Sequence, residues 1–365
     1  MVMQDFSVSY AEARSKFRAT VQATGGQVHT YLNPVCRGPD GEELTTDVVR
    51  FGAASAEKVL LLNSATHGIE GYCGSGSLIG LIRKGVITTP PADTAIVAIH
   101  AINPYGFAWG RRVNEDNIDL NRNFQDFAAP LPVNAGYDAL QTWLLPADWD
   151  GPGMQAADTA LTDWIATHGF PAFQAAVTGG QYRHADGLFY GGQKPAWSND
   201  LFRKLVAQQC QGARQVGFID FHTGLGPSGY GEPIYVGAKD ADAGYARACD
   251  WYGPDVTWPE RGSSTSAIVT GTLLNGLRDA VPVDALVTGI ALEYGTVPTD
   301  QVIRALRADN WLHARYGIAP ASLDAQGQAI KQAVRAAFYV ETELWKQQIY
   351  DRAVEMVEKA LAGLQ

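Results

Sequence analysis

Short, nearly unbroken apolar runs recur along this chain, and each stops at polar side chains. They are Lys58-Val-Leu-Leu-Leu-Asn63, Thr94-Ala-Ile-Val-Ala-Ile99, Gln215-Val-Gly-Phe-Ile-Asp-Phe221, Pro233-Ile-Tyr-Val236 and Leu286-Val-Thr-Gly-Ile-Ala-Leu292. A run of this length without polar alternation reads as a strand covered on both faces. Helical stretches lie between them. Ser9-Tyr10-Ala11-Glu12 fits a capping box that opens a helix to about Thr24, and Tyr72 to Lys84 carries Leu78, Ile79, Leu81 and Ile82. Strands interleaved with helices predict an α/β sheet with helices on both faces. In such sheets ligands gather at the carboxyl ends of the strands, so the residues that end these runs are the ones to read for chemistry.

Composition narrows the partners. Twenty-eight Lys and Arg against 38 Asp and Glu give a net charge of −10, which argues against nucleic acid. Hydrophobic residues at 46% and charged residues at 18% argue against disorder. Cys36, Cys73, Cys210 and Cys249 lie far apart, without paired zinc spacing or disulfide density, and read as free thiols. The first residues lack a basic segment followed by an apolar core, and no run approaches the ~20 apolar residues of a membrane span. The expectation is a soluble, cytoplasmic protein without a membrane partner.

With 365 residues and no linker or repeat, one domain with insertions is expected. The stretch of about 127–195, rich in Gly, Pro, Trp and Tyr, shows one helical segment, Met154 to His168, and reads as a decoration. Its aromatic content suits a substrate wall or a subunit interface equally. The segment of about 322–364 reads as helices packed on the sheet.

Four strand ends carry chemistry. His67-Gly68-Ile69-Glu70 follows the first run; a His and a Glu three apart can converge on one ion if Gly68 lets the chain turn tightly. His222 follows the third run, with Asp220 two residues back on the same face and placed to orient it. His67, Glu70 and His222 form a two-His, one-carboxylate set, the arrangement that leaves a fourth zinc position open. Arg111-Arg112 and Asn121-Arg122 flank a loop suited to a substrate's carbonyl and carboxylate, because guanidinium forks bind carboxylates bidentately. Glu293, emerging from the last run, has the desolvated setting of a general base or acid. His100, His184 and His313 read as structural or exposed, with His184, in Tyr182-Arg183-His184-Ala185-Asp186, set apart by its polar context.

Taken together, His67-Gly-Ile-Glu70, Asn103-Pro104-Tyr-Gly106, Asp119-Leu-Asn121-Arg122-Asn123-Phe124, Asp220-Phe-His222-Thr223 and Leu292-Glu293 resemble the zinc carboxypeptidase superfamily, which includes the succinylglutamate desuccinylase and aspartoacylase branch. Gly187-Leu-Phe-Tyr-Gly-Gly192 and Trp197-Ser-Asn199 resemble a bacterial subgroup of it. The resemblance implies a single domain with a central mixed, twisted sheet of about eight strands flanked by helices. It implies one zinc ion on His67, Glu70 and His222, with Asp119 holding His67. Glu293 becomes the general base, Arg112 or else Arg111 polarises the scissile carbonyl, and Asn121 and Arg122 hold a free carboxylate. The expected substrate is a peptide or small molecule cleaved at an amide bond beside that carboxylate. The His222-Thr-Gly-Leu-Gly context is closer to the deacylase branch, so an N-acyl amino acid deacylase is the alternative; a non-catalytic metal-binding or ligand-binding module is a third reading. Tyr182, Tyr190, Tyr230 and Tyr252 compete for the role of a lid tyrosine. A serine hydrolase is disfavoured, since no GxSxG elbow occurs.

Overall fold

The computed structural model describes residues 2–237, 241–317 and 323–365. Its apolar runs become the core of one seven-stranded mixed sheet: β1 (Val28–Arg37), β2 (Glu43–Phe51), β3 (Lys58–Asn63), β4 (Thr94–His100), β5 (Gln215–Ser228), β6 (Gly231–Tyr235) and β7 (Leu286–Gly295), in the order β1-β2-β4-β3-β5-β7-β6. The sheet thus has seven strands among the described residues, in keeping with the expected mixed sheet of about eight. β3, β4, β5 and β7 pair in parallel, while β1 with β2, β2 with β4 and β6 with β7 pair antiparallel.

Thirteen helices accompany it among the described residues: α1 (Tyr10–Ala23), α2 (Gly71–Arg83), α3 (Pro104–Ala108), α4 (Leu120–Asn123), α5 (Ala135–Leu144), α6 (Pro152–His168), α7 (Phe170–Thr178), α8 (Trp197–Gln209), α9 (Ala241–Tyr252), α10 (Leu273–Ala280), α11 (Thr299–Tyr316), α12 (Ala325–Phe338) and α13 (Glu343–Gly363). Strand alternation divides the core. Leu60, Leu62, Ile219 and Phe221 pack with α1, α2 and α13 on one face, and Val59, Leu61, Val216 and Phe218 pack with α8 and α10 on the other. Both faces are buried, which is why these strands read as unbroken apolar runs.

Departures from the sequence reading have local causes. β1 and β2 form an edge hairpin whose outer strand is largely exposed and carries His29, Thr30 and Asn33, so no apolar run marks it. The 127–195 stretch holds three helices where one was expected. α5 is capped by Asn134, which accepts from Tyr137 N, and α7 opens with Pro171 in its first turn; Gly and Pro there mark helix starts. At α1 Ser9 Oγ accepts from Glu12 N at 3.2 Å as expected, but the Glu12 carboxylate takes Val8 N in place of the cap N–H. The C-terminal helices form as expected; Ser322, at their expected start, lies outside the described residues.

Candidate active site

The connection from β3 runs to β4 on one side, and the chain later returns to β5 on the other, so the sheet's topological switch lies between the carboxyl ends of β3 and β5. Crevices form at such points because the two loops diverge. Ser64 to Thr66 leave β3 with Ala65 in the left-handed region (φ 60°), held there by the bond from Asn103 N to Ala65 O at 3.1 Å. His67 then begins a single 3₁₀ turn, Gly68–Glu70, ahead of α2.

Gly68 was expected to supply a tight turn, yet it is not among the left-handed glycines. Its missing side chain is what matters. A Cβ there would fall 1.9 Å from the carbonyl carbon of Gly106, and the close approach lets Gly68 N and Ile69 N donate to Arg112 O (3.1 Å) and Arg111 O (2.8 Å). The His67 turn is thereby fastened to the arginine loop. Gly68→Ala is expected to destabilise the fold by about 3 kcal/mol, because backbone on both sides must move; a denaturant midpoint unchanged from the parent protein would contradict this.

Three acceptors converge at the switch. His67 Nδ1 lies 2.9 Å from Glu70 Oε1, His222 Nδ1 lies 2.9 Å from Glu70 Oε2, and the two Nδ1 atoms are 3.2 Å apart. Each ring's other nitrogen faces a buried carboxylate: His67 Nε2 meets Asp119 Oδ1 at 3.1 Å and His222 Nε2 meets Asp220 Oδ2 at 2.7 Å. Those carboxylates are committed acceptors, since Asp119 also takes Arg112 Nε (2.9 Å) and Asp220 takes Asn63 Nδ2 (2.8 Å) and Thr66 Oγ1 (2.9 Å). Both imidazoles therefore carry their proton on Nε2 when neutral, an assignment made from these partners. Two nitrogen lone pairs and a carboxylate then face one another, which a cation between them would satisfy.

The donor set fits a metal. His67, Glu70 and His222 are all buried and each offers a ligand atom within 4.8 Å of the others. Tetrahedral ligands at ~2.0–2.1 Å from zinc would stand roughly 3.3 Å apart, close to the spacing found. Electrostatics agree. Burial would raise the Glu70 carboxyl, but the two facing imidazoles outweigh it and hold it well below the usual range. Burial likewise opposes a charged His222, but Asp220 and Glu70 push its pKa well above the ordinary value. Because Asp220 sets the tautomer of His222, Asp220→Ala is expected to weaken metal affinity about 10–100-fold; competition with a chromophoric chelator measures it, and an unchanged affinity would remove that role.

Glu293 sits across from His222 in the β5–β7 register and faces the same cavity. β5 bulges between Thr223 and Ser228, and Gly224 adopts φ +133°, a conformation open mainly to glycine. The bulge turns Leu225 N toward Glu293 Oε1, at 3.0 Å. Burial, reinforced by the negative charge of Glu70, pushes the Glu293 carboxyl up to about 8.

The arginine loop divides. Arg112 lines the cavity, reaching Asp119 through Nε and Glu70 Oε1 through Nη1 at 3.4 Å, and stacks its guanidinium 5.0 Å from the Phe189 ring. Arg111 is not among the residues lining the cavity: it is buried, bonding Asp309 (3.1 Å) and Asn117 (3.1 Å). Asn121 and Arg122 both line the cavity; Asn121 Oδ1 accepts from Leu273 N at 2.9 Å, and buried Arg122 leaves Nε without a partner among the described residues.

Tyr182, Tyr190, Tyr230 and Tyr252 are not among the residues lining the cavity; Tyr182, for one, donates to Arg122 O at 2.6 Å. His100 stacks on Phe17, His184 bonds Asp138 at 2.9 Å and His313 bonds Gly317 O at 3.0 Å, all outside the cavity. Sequence reading missed Asn63 and Thr66, polar residues at the end of β3 that hold Asp220, and the walls Leu306 and Phe338, which no local pattern marks.

No curated protein matches the chain. Among solved structures it is similar to carboxypeptidase A from Helicoverpa armigera, with 12% identity, a TM-score of 0.47, and coverage of 97% of this chain and 74% of that one. It is also similar to bovine thrombin-activatable fibrinolysis inhibitor in complex with tick carboxypeptidase inhibitor (11% identity, TM-score 0.45, coverage 97% and 99%) and to murein-tripeptide amidase MpaA from Escherichia coli O157 (18%, 0.36, 79% and 92%). A family model, described as protein of unknown function DUF2817, matches residues 6–352, and the chain belongs to that family.

Proposed function

We propose that this protein is a zinc-dependent hydrolase that cleaves an amide bond beside a free carboxylate. The observation that carries the reading is the convergence of the His67 and His222 Nδ1 atoms and the Glu70 carboxylate on one another, in a cavity that also presents Glu293 and Arg112. His67, Glu70 and His222 would hold the ion, and bound zinc supplies the Lewis acidity that such hydrolysis needs. Glu293 takes the proton from the attacking water and returns it to the leaving amine, a task suited to a carboxyl whose affinity for protons is raised. Arg112, fixed by Asp119 and by Phe189, presents a positive charge to the oxyanion that develops on the scissile carbonyl. Asn121 and Arg122 hold the substrate's carboxylate, placing the amide against Glu293. The 127–195 stretch contributes Gln174, Thr178 and Phe189 as a wall of the site.

The test is hydrolysis by the zinc-loaded protein of N-acyl peptides and N-acyl amino acids, each offered with a free carboxylate and as its amide. The free acids are expected to be cleaved and the amides spared; no cleavage across the panel overturns the reading, and cleavage confined to N-acyl amino acids favours a deacylase. Arg122→Gln is expected to raise KM for the free acids by roughly 100-fold while changing kcat less, since a charge-assisted contact to carboxylate is worth about 1.5–3 kcal/mol. An unchanged KM would remove Arg122 from carboxylate binding.

A further inference from the structure

What holds Arg112 at the cavity reaches well beyond its own loop. Its Nε–H donates to Asp119 Oδ2 at 2.9 Å, and its guanidinium lies 5.0 Å from the Phe189 ring. The loop and the ring come from different parts of the chain, and both are tied to α11. At the loop, Arg111 Nε donates to Asp309 Oδ2 at 3.1 Å, and Lys331 Nζ of α12 donates to Asp309 Oδ1 (2.6 Å) and to Gly110 O (2.9 Å). Near the ring, Asn310 Nδ2 donates to Asp186 O at 2.7 Å. Asn117, whose Oδ1 accepts from Arg111 Nη2, donates through Nδ2 to Ala185 O (3.0 Å) and Gly187 O (2.9 Å). Consecutive residues of one helix, Asp309 and Asn310, therefore grip both supports of a single guanidinium.

The helix that carries them also walls the site. Thr299, Val302, Ile303 and Leu306 line the cavity at the spacing of one helical face, and Asp309 and Asn310 continue that face by one turn. Arg111 and Asp309 are buried, and so is His313 beside them. Burial pushes the His313 imidazole down to about 3, so it is neutral, and its Nε2 accepts from Lys331 Nζ at 3.4 Å. Two cations thus face one carboxylate. Apolar side chains could fill such a space at little cost in stability. They would set no direction, whereas a guanidinium and a carboxylate meet at a fixed distance and angle.

We propose that Asp309 is a positioning residue of the active site, acting with Lys331 and Asn310 through the arginine loop to fix where the Arg112 guanidinium stands. The effect on rate rests on the hydrolase reading; the placement of Arg112 does not, and it can be measured without turnover. NMR of the protein with isotope-labelled arginine follows the Nε–H resonance of Arg112, assigned by its loss in Arg112→Lys. Asp309→Asn removes the carboxylate itself. Lys331→Met leaves Arg111 and Asp309 in charge balance, and it keeps the test open if Asp309→Asn does not fold. Both variants are expected to shift and broaden the Arg112 resonance, while that of Arg14 Nε, bonded to Asp47, stays in place. On a cleaved substrate both are expected to lower kcat by roughly 10- to 100-fold with KM within about threefold, the penalty of a misplaced reacting group. That loss should vanish in an Arg112→Gln background, where no guanidinium remains to be misplaced. An unmoved Arg112 resonance in folded Lys331→Met, a moved resonance with unchanged kcat, or a loss that persists alongside Arg112→Gln overturns the proposal. No hydrolysis of any amide by the parent protein overturns the hydrolase reading instead, and the moved resonance then stands as the measure of the clamp.

Discussion

Glu293→Gln is expected to keep its metal and lose turnover by roughly 10²–10⁴-fold, the contribution of a positioned general base. The substitution preserves shape and retains an oxygen that can accept from Leu225 N, so the β5 bulge has no reason to rearrange. Glu293 is absent from the converging ligand set, and metal content should therefore match the parent protein. The same residue predicts a pH dependence. A base works only when deprotonated, so kcat/KM falls as pH drops through the pKa of Glu293, which burial and Glu70 push up to about 8. A cation held by Glu70 cancels part of that repulsion, so the acid limb lies on the acid side of 8. Glu293→Gln should also lose that limb. Near-normal activity in Glu293→Gln would assign the base elsewhere.

His222→Ala is expected to abolish both activity and metal binding, and the metal itself should stabilise the native protein. An ion that binds only the folded chain adds about 4 kcal/mol when present at ~1,000 times its dissociation constant. For a domain of this size that corresponds to a rise in Tm of roughly 5 °C. Removal of metal with a chelator reverses the rise, and zinc restores it. In His222→Ala two ligands remain and Asp220 loses its imidazole partner, so zinc should shift Tm little. A full zinc-induced shift in that variant would place the ion somewhere other than between His67, Glu70 and His222. Anomalous scattering at the zinc edge locates the ion directly.

The two arginines of the loop show where sequence reading stops. Arg111 and Arg112 are adjacent and chemically identical, and either suits a developing oxyanion. The tertiary structure separates them: Asp309, far along the chain on α11, draws Arg111 into the protein, while Asp119 holds Arg112 at the cavity. Burial and the charges of Lys331 and Arg111 act in opposition on Asp309, and the cations prevail, holding its carboxyl well below the usual range. Gly68 teaches the same lesson, for its importance lies in the backbone of Gly106.

The alternation of apolar strand and polar terminus was enough to predict the α/β class, the central strands and the set of strand-end residues His67, Glu70, His222 and Glu293, because those patterns are local and buried parallel strands must be apolar. The edge hairpin, the helices within 127–195 and the pairing of Arg111 with Asp309 were decided only by the assembled sheet. Each depends on register or on contacts between residues distant in the chain, and such contacts leave no periodic mark in the sequence.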